Sequence, residues 1–545
     1  MKWISITSIV LLMLASCAKQ QQNAEEVITY ANIEKHIQEL SNNKYKGRKP
    51  MSDTEEISIG YIAEQMKEIG LAPANNGSYF QNVPLMKVKS QISPTLDIQL
   101  KKETLNLKKL DEYITFSRKV KPALEIEDSE IIFAGFGITA PEYQRNDFEG
   151  VDVKGKTILV FVNDPGYGKK DSYFKGNTMT YYGRWTYKFE EAARRGAKAC
   201  IIIHETGPAG YPWAVVRNNA ETAKMYLQDK DGYKNRCDLE GWITRKAAEK
   251  LFASYGKSFD EMKQMALQKD FKPFSMNAKA SAWIKSEFQY GESKNVCGMI
   301  KGTERPDEAI VYTAHWDHLG VGRVIKGDSI YNGATDNASA VSWMLEMARA
   351  FKAQKPAPKR SILFLSVTAE EQGLLGSYHY TKHPIFPMNK TVACINTDVI
   401  LFLGSFNDVT LTGNGQSELD LWVEEEAKAL GRYIAPDPQP DNGMYFRSDH
   451  FPFAKLGVPS LFAKGYIDAK EYGPEKTLQL VKDYWKNIYH KPQDEYVKER
   501  DNLQGLVDDA RLMYRVGAKL ANSNEFPKWN PTSEFKAIRE KSLKK

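Results

Sequence analysis

The sequence predicts an α/β protein, a mixed sheet sandwiched by helices and interrupted by an inserted, mostly-β unit. Three observations predict it. From Asn295 onward strand-like and helix-like patterns alternate regularly; residues 127–272 form a stretch of different character; and the side chains able to bind metal fall just past predicted strand ends. At 545 residues, 42% hydrophobic and 11% aromatic, the chain is too long for one hydrophobic core and ample for two or three.

The N-terminus reads as a targeting segment. Met1-Lys2 supplies a short positive start, Ile4 to Leu14 is largely apolar, and Leu14-Ala15-Ser16-Cys17 places small residues before a cysteine. Residues 1–17 are therefore expected to be an export signal; Leu14 to Cys17 resembles a bacterial lipobox, which implies cleavage before Cys17 and its lipidation, with residues 18–28 as a polar tether. The body would then be exported and held in the cell envelope, periplasm-facing or at the cell surface, since two or more acyl chains anchor stably. No second apolar run approaches the roughly 18 residues a membrane span requires. The formal charge of +6 is small for this length and no basic run alternates with aromatics, so no nucleic-acid partner is expected.

Residues 29–126 read as the first part of the main domain. Ile33, Ile37 and Leu40 share a helical face, as do Ile57, Tyr61, Ile62, Met66 and Ile69 before the stop signal Gly70, so two helices flank Gly47-Arg48. From Tyr79 to about Lys121 apolar and polar residues alternate as in strands. Within 127–272, Ile131–Phe133, Lys156–Val162 and Ala197–Ile203 read as strands and Trp185–Arg195 as a helix, with no cluster of acid, base and nucleophile. His204 reads there as structural. Beyond Cys17 the cysteines are Cys200, Cys237, Cys297 and Cys394; none forms a Cys-x-x-Cys pair, so a thiolate metal site is not expected and no bridge is assigned. Residues 273–525, followed by a tail over 526–545, carry the regular alternation: strands at Ala309–Ala314, Ile362–Val367 and Thr391–Ile395, helices at Ala338–Phe351 and Gly373–Thr381.

This last stretch concentrates the chemistry. His315 and Asp317 lie in Ala314-His315-Trp316-Asp317-His318, and Asp336, Glu370-Glu371, Asp398 and His490 follow. Two imidazoles and three carboxylates, with one adjacent Glu left over as a base, are what a pair of divalent ions and a water between them would require. Singly, the signals are weaker. Asp336 before a helix would also serve as an N-cap, and Glu370-Glu371 would also suit a solvated helix start.

The combined motifs match a family. Gly333-Ala334-Thr335-Asp336-Asn337-Ala338-Ser339, Glu370-Glu371-Gln372-Gly373-Leu374-Leu375-Gly376-Ser377, Ser448-Asp449-His450-Phe451-Pro452-Phe453 and Tyr489-His490-Lys491-Pro492-Gln493-Asp494, with the His315 phrase, resemble the co-catalytic zinc aminopeptidases related to glutamate carboxypeptidase. Gly135-Phe136-Gly137-Ile138, residues 147–156 and Ala192-Ala193-Arg194-Arg195-Gly196-Ala197 resemble the protease-associated domain inserted in some exopeptidases, and residues 14–17 resemble a bacterial lipobox. The resemblance implies a phosphorylase/aminopeptidase-like sheet and two zinc ions held by His315, Asp336, Glu371, Asp398 and His490, with Asp336 bridging. It implies Glu370 as general base, Asp317 as the orienter of His315, Asp494 as a partner of His490, and Tyr445 or His450 beside the reacting group. His318, His36, His379 and His383 are set aside as non-ligands. Peptides would be the substrates, shortened from the amino end. Alternatives are a carboxypeptidase, in which Arg447 or Lys464 would clamp a terminal carboxylate, a single-zinc glutaminyl cyclase, and a non-catalytic relative.

Overall fold

One very long strand, Phe274–Ile300, runs through both halves of the molecule. A computed structural model describes residues 23–169, 173–220 and 222–544, so the expected export signal and Cys17 lie outside the described residues. The last five residues of the long strand pair antiparallel with Arg360–Val367, its stretch 284–296 pairs with Phe80–Ile92, and its first half pairs with Ala123–Phe133.

Past Arg360–Val367 the sheet continues through Arg305–His315, Thr391–Asn396 and Ser460–Lys464, all mutually parallel. Asp408–Leu411, antiparallel to Ser460–Lys464, and Tyr433–Pro436 close that edge. The sheet is therefore mixed, with a parallel centre. Parallel strands need helices on both faces, and strand alternation supplies two apolar faces. Ile310, Tyr312, Ile362 and Phe364 enter one core with the helices Tyr30–Leu40, Ser339–Ala353 and Gln504–Asn522. Their neighbours Val311, Leu363 and Leu365 enter the opposite layer with Tyr380, Phe386 and Phe453.

A second core gathers around Phe133, whose ring meets Phe161, Phe252 and Phe271 edge to face at 5.5, 5.5 and 5.7 Å. Its sheet runs through Thr157–Phe161, Ala199–His204 and Leu239–Thr244, all parallel. Helices Trp185–Arg194, Arg245–Ser254 and Phe259–Leu267 belong to it, the last started by a capping box between Ser258 and Glu261. This unit is α/β where the sequence suggested mostly strands. It also takes in Ile92, Leu96, Ile98, Leu107, Tyr113 and Leu124, residues expected to pack with the main domain. Alternation marks a strand but does not choose its partner, and here Thr95–Gln99 and Tyr113–Phe116 pair with the long strand and with Leu239–Thr244. The four cysteines are free and buried.

The Gly47-Arg48 turn ties the N-terminal helices to the parallel centre. Gly47 has φ +69°, and a Cβ there would stand 2.4 Å from the Tyr331 carbonyl, so only glycine fits. Arg48, fully buried, donates to the carbonyls of Leu40, Trp316, Asn332 and Gly333 at 2.5 to 2.9 Å. Burial brings its pKa down to about 10, with Asp336, Asp494 and Asp317 opposing that fall. Arg48→Met leaves four buried carbonyls without a donor, so a loss of about 3 kcal/mol or more is expected in the urea unfolding free energy; a loss below about 1 kcal/mol would show that water replaces the guanidinium there.

Candidate metal centre

Parallel register carries the donors to one rim. His315 ends its strand opposite Val367, and Thr313 lies opposite Asn396, so residues 368–371 and 397–398 leave the sheet beside His315. Asp336 arrives from the turn that opens the helix Ser339–Ala353, and His490 from just beyond the helix Gly473–Asn487.

The donors form two groups that share one carboxylate. In the first, His315 Nε2 stands 3.3 Å from Asp336 Oδ1 and 3.3 Å from Asp398 Oδ1. In the second, His490 Nε2 stands 3.3 Å from Asp336 Oδ2 and 3.0 Å from Glu371 Oε2. Asp336 thus turns one oxygen toward each group. It is no N-cap, because Ala338 holds that position and no side chain caps the helix.

His318 enters the second group as well. Its Nδ1 lies 2.7 Å from Glu371 Oε1, and His318, Asp336 and Glu371 offer ligand atoms within 4.8 Å of one another. The sequence reading set His318 aside because five donors already completed the site; the signal that would have kept it is its place one residue past Asp317, on the same turn.

Around the donors a frame of main-chain bonds holds each carboxylate in place. Asp317 accepts the N–H groups of Glu370 and Glu371 at 3.0 and 3.3 Å, and Asp494 those of Thr335 and Asp336 at 3.0 and 2.9 Å. Ser448 donates to Asp398 Oδ2 at 2.9 Å, and Lys464 donates to the carbonyls of Asp398 and Val399.

Several expected roles change. His315 Nδ1 lies 3.0 Å from the main-chain carbonyl of Asp317 and 3.7 Å from its carboxylate, so the carbonyl is the nearer orienter and the carboxylate serves the Glu370-Glu371 turn. Asp494 holds the Asp336 backbone instead of His490. Tyr445 is buried in the second core, where its hydroxyl donates to the Ser460 carbonyl at 3.0 Å, so it does not offer its phenol to the donors. His450 is fully buried between Tyr445 and Phe462, and burial pushes its pKa down to about 3, so it stays a neutral core histidine. Lys464, engaged with main-chain carbonyls, is no free clamp.

The electrostatics call for positive charge. Burial works against the charge of Glu371, yet His490, then His318, hold it down to about 2; His490, opposed by burial, is raised to about 10 by Glu371 and Asp336. Glu370 stands outside both groups, its Oε2 3.9 Å from His315 Nε2, and burial lifts its pKa well above the usual carboxylate range, with Asp398, Asp449 and Glu371 adding to the rise against His315. His318 Nδ1 and His490 Nε2 lie close to Glu371 but make no hydrogen bond, and Glu371 Oε1 has no partner. Imidazole nitrogens and carboxylate oxygens gathered in this way suit zinc and similar cations.

Sheet and donor groups together define an α/β protein built to hold metal ions. Residues 295–512 match the model for peptidase family M28. It is 27% identical over 370 residues to aminopeptidase YwaD of Bacillus subtilis (strain 168), covering 66% of this chain and 62% of that protein. To aminopeptidase NAALADL1 of Mus musculus it is 31% identical over 147 residues, 26% of this chain and 18% of that protein. The chain thus spans less than two thirds of these relatives' lengths. Among solved structures, the aminopeptidase from Aneurinibacillus sp. strain AM-1 aligns over 93% of this chain and 97% of that chain at 19% identity, with a TM-score of 0.49.

His318→Ala removes a neighbour of Glu371 while sparing the other five donors. A 10- to 100-fold loss of zinc affinity is expected in competition titration with a chelating dye; an unaltered titration would make His318 a packing residue only.

Proposed function

We propose that the chain is a zinc-dependent exopeptidase that releases residues from the amino end of peptides, using two zinc ions. The carrying observation is Asp336, whose two oxygens face two donor groups, with Glu370 3.9 Å from His315 and part of neither group. His315, Asp336 and Asp398 would hold one ion; His490, Glu371 and Asp336, with His318 behind Glu371, the other. Zinc, when bound, supplies Lewis acidity that lowers the pKa of water and polarises a carbonyl.

The chain's own residues supply the proton handling. Glu370 is partly exposed and its backbone is pinned by Asp317, so its carboxylate has a fixed origin from which to take a proton from water and return it to the leaving amine. The name "aminopeptidase" belongs to the relatives; it is carried to this chain by the shared motifs and by Lys464, which faces inward and leaves one fewer cation for a carboxypeptidase clamp.

The inserted unit resembles a protease-associated domain and packs Phe446 and Phe451 of the peptidase loop into its own core, which supports a role in shaping access to the site. Export and lipid anchoring at Cys17 are supported by the sequence pattern of residues 1–17.

Glu370→Gln is expected to lower kcat by 10²- to 10⁴-fold with zinc content unchanged by elemental analysis. Mass spectrometry of a peptide mixture incubated with the zinc-loaded protein should show ladders shortened from the amino end. Ladders from the carboxyl end, or full turnover in the Gln variant, would overturn the reading.

A further inference from the structure

Two histidines outside the metal centre share one face of a helix. His379 lies in the last turn of the helix Leu375–Lys382, and His383 is its C-cap. Residues four apart on a helix stand one above the other. The helical bonding reaches His383, whose N–H donates to the His379 carbonyl at 3.0 Å. The two rings accordingly stand 4.7 Å apart between centroids, tilted by 38°. Of the chain's eight histidines, His315, His318 and His490 belong to the donor groups, and His36, His204 and His450 are buried. The remaining pair is accessible, with His379 half-buried and His383 exposed.

The surroundings leave the pair open to a ligand. Among the described residues no carboxylate forms an ion pair with either ring. Burial, then His383 and Lys382, push the His379 pKa down to about 4, against a hydrogen bond to the Asn82 main chain. That imidazole is therefore neutral near pH 7 and carries a lone pair, as a metal ligand must.

The Asn82 bond has a second consequence. A ring N–H held by a main-chain carbonyl fixes the tautomer and leaves the other nitrogen as the acceptor, the arrangement that orients metal-binding histidines. The Gln81 side-chain amide donates to the His383 carbonyl at 2.8 Å, so the strand Phe80–Ile92 holds the backbone of one histidine and the ring of the other. The place at a helix C-terminus also suits a cation, because the last carbonyls gather partial negative charge there, and this offsets the neighbouring Lys382.

We propose that His379 and His383 chelate a divalent transition-metal ion of the class Cu2+, Ni2+ or Zn2+, at a site separate from the centre built on Asp336. Imidazole suits these ions, and water completes their coordination. The helix begins just after the Glu370-Glu371 turn, where Leu375 donates its N–H to the Ala369 carbonyl at 3.1 Å. An ion on the two histidines would pin the far end of that helix. The site does not depend on the exopeptidase reading.

The zinc-loaded full chain, titrated with Cu2+ in a non-coordinating buffer, tests the site by electron paramagnetic resonance. About one copper ion per chain is expected with splitting from imidazole nitrogens, while the zinc content stays unchanged by elemental analysis. Loss of one imidazole should weaken copper binding at least as much as loss of an outer partner does, about 10- to 100-fold, in His379→Gln and in His383→Gln. His383→Gln alters an exposed side chain, so it serves if His379→Gln fails to fold. The untagged chain should also be retained on immobilised Ni2+, and the two variants should pass through. Equal copper affinity in the unaltered chain and in His383→Gln overturns the proposal, as does copper uptake that only replaces zinc. Peptide trimming is expected to persist in both variants, and its absence from the unaltered chain would overturn the exopeptidase reading alone.

Discussion

The structure depends on holding a crowd of carboxylates together at the rim of one sheet. Asp317, Asp336 and Asp449 are buried at this rim, with Asp398 and Glu371 partly so, and a buried carboxylate left there uncompensated would cost several kcal/mol. Compensation arrives in layers. The innermost is the pair of imidazoles, His315 and His490, set against the acids. The next consists of main-chain N–H groups on Asp317 and Asp494. Beneath lies Arg48, which binds the carbonyls of Trp316, Asn332 and Gly333, the segments adjoining His315 and Asp336.

That layering explains why the site sits where it does. A parallel strand ends with its next residues free to turn away from the sheet, and the free backbone groups there bind side chains. The strand Arg360–Val367 is buried along its whole length, and the chain leaves it in a turn that carries Glu370 and Glu371. That turn keeps its shape because Asp317 takes both of their N–H groups. Thr335 and Asp336 are held the same way by Asp494, from a segment more than 150 residues distant in sequence.

Much of this was legible in the chain. The parallel centre followed from continuous apolar runs such as Ile362–Val367, because burial on both faces leaves no polar alternation to confuse the reading. His315, Glu371 and Asp398 were legible because each falls just past a strand end and Asp336 because it precedes a helix, whereas His490, just beyond a helix end, was marked by its motif. What the sequence hid were partners. The Asp317 carboxylate was expected to orient His315, whereas the ring's nearer partner is the Asp317 carbonyl and the carboxylate holds the Glu370 and Glu371 backbone; His318 looked redundant; Tyr445 lay beside a matching motif and His450 within it, but both fold into aromatic surroundings. The strands of residues 92–126 were recognisable as strands, yet their sheet partners depend on contacts far along the chain.

The inserted unit is coupled to the metal centre mechanically. Met179 donates its N–H to the Pro440 carbonyl at 3.0 Å, and Asn163 its side-chain amide to the Asp441 carbonyl at 3.4 Å, both from the inserted unit. A few residues on, Tyr445, Phe446 and Phe451 fill the second core. Between those anchors lies Ser448, whose hydroxyl orients Asp398. The loop therefore cannot follow one core without the other, so displacement of the insertion would draw Ser448 away from a metal donor. Arg447 occupies the same short span, which sets the position of its guanidinium by the packing of both units at once.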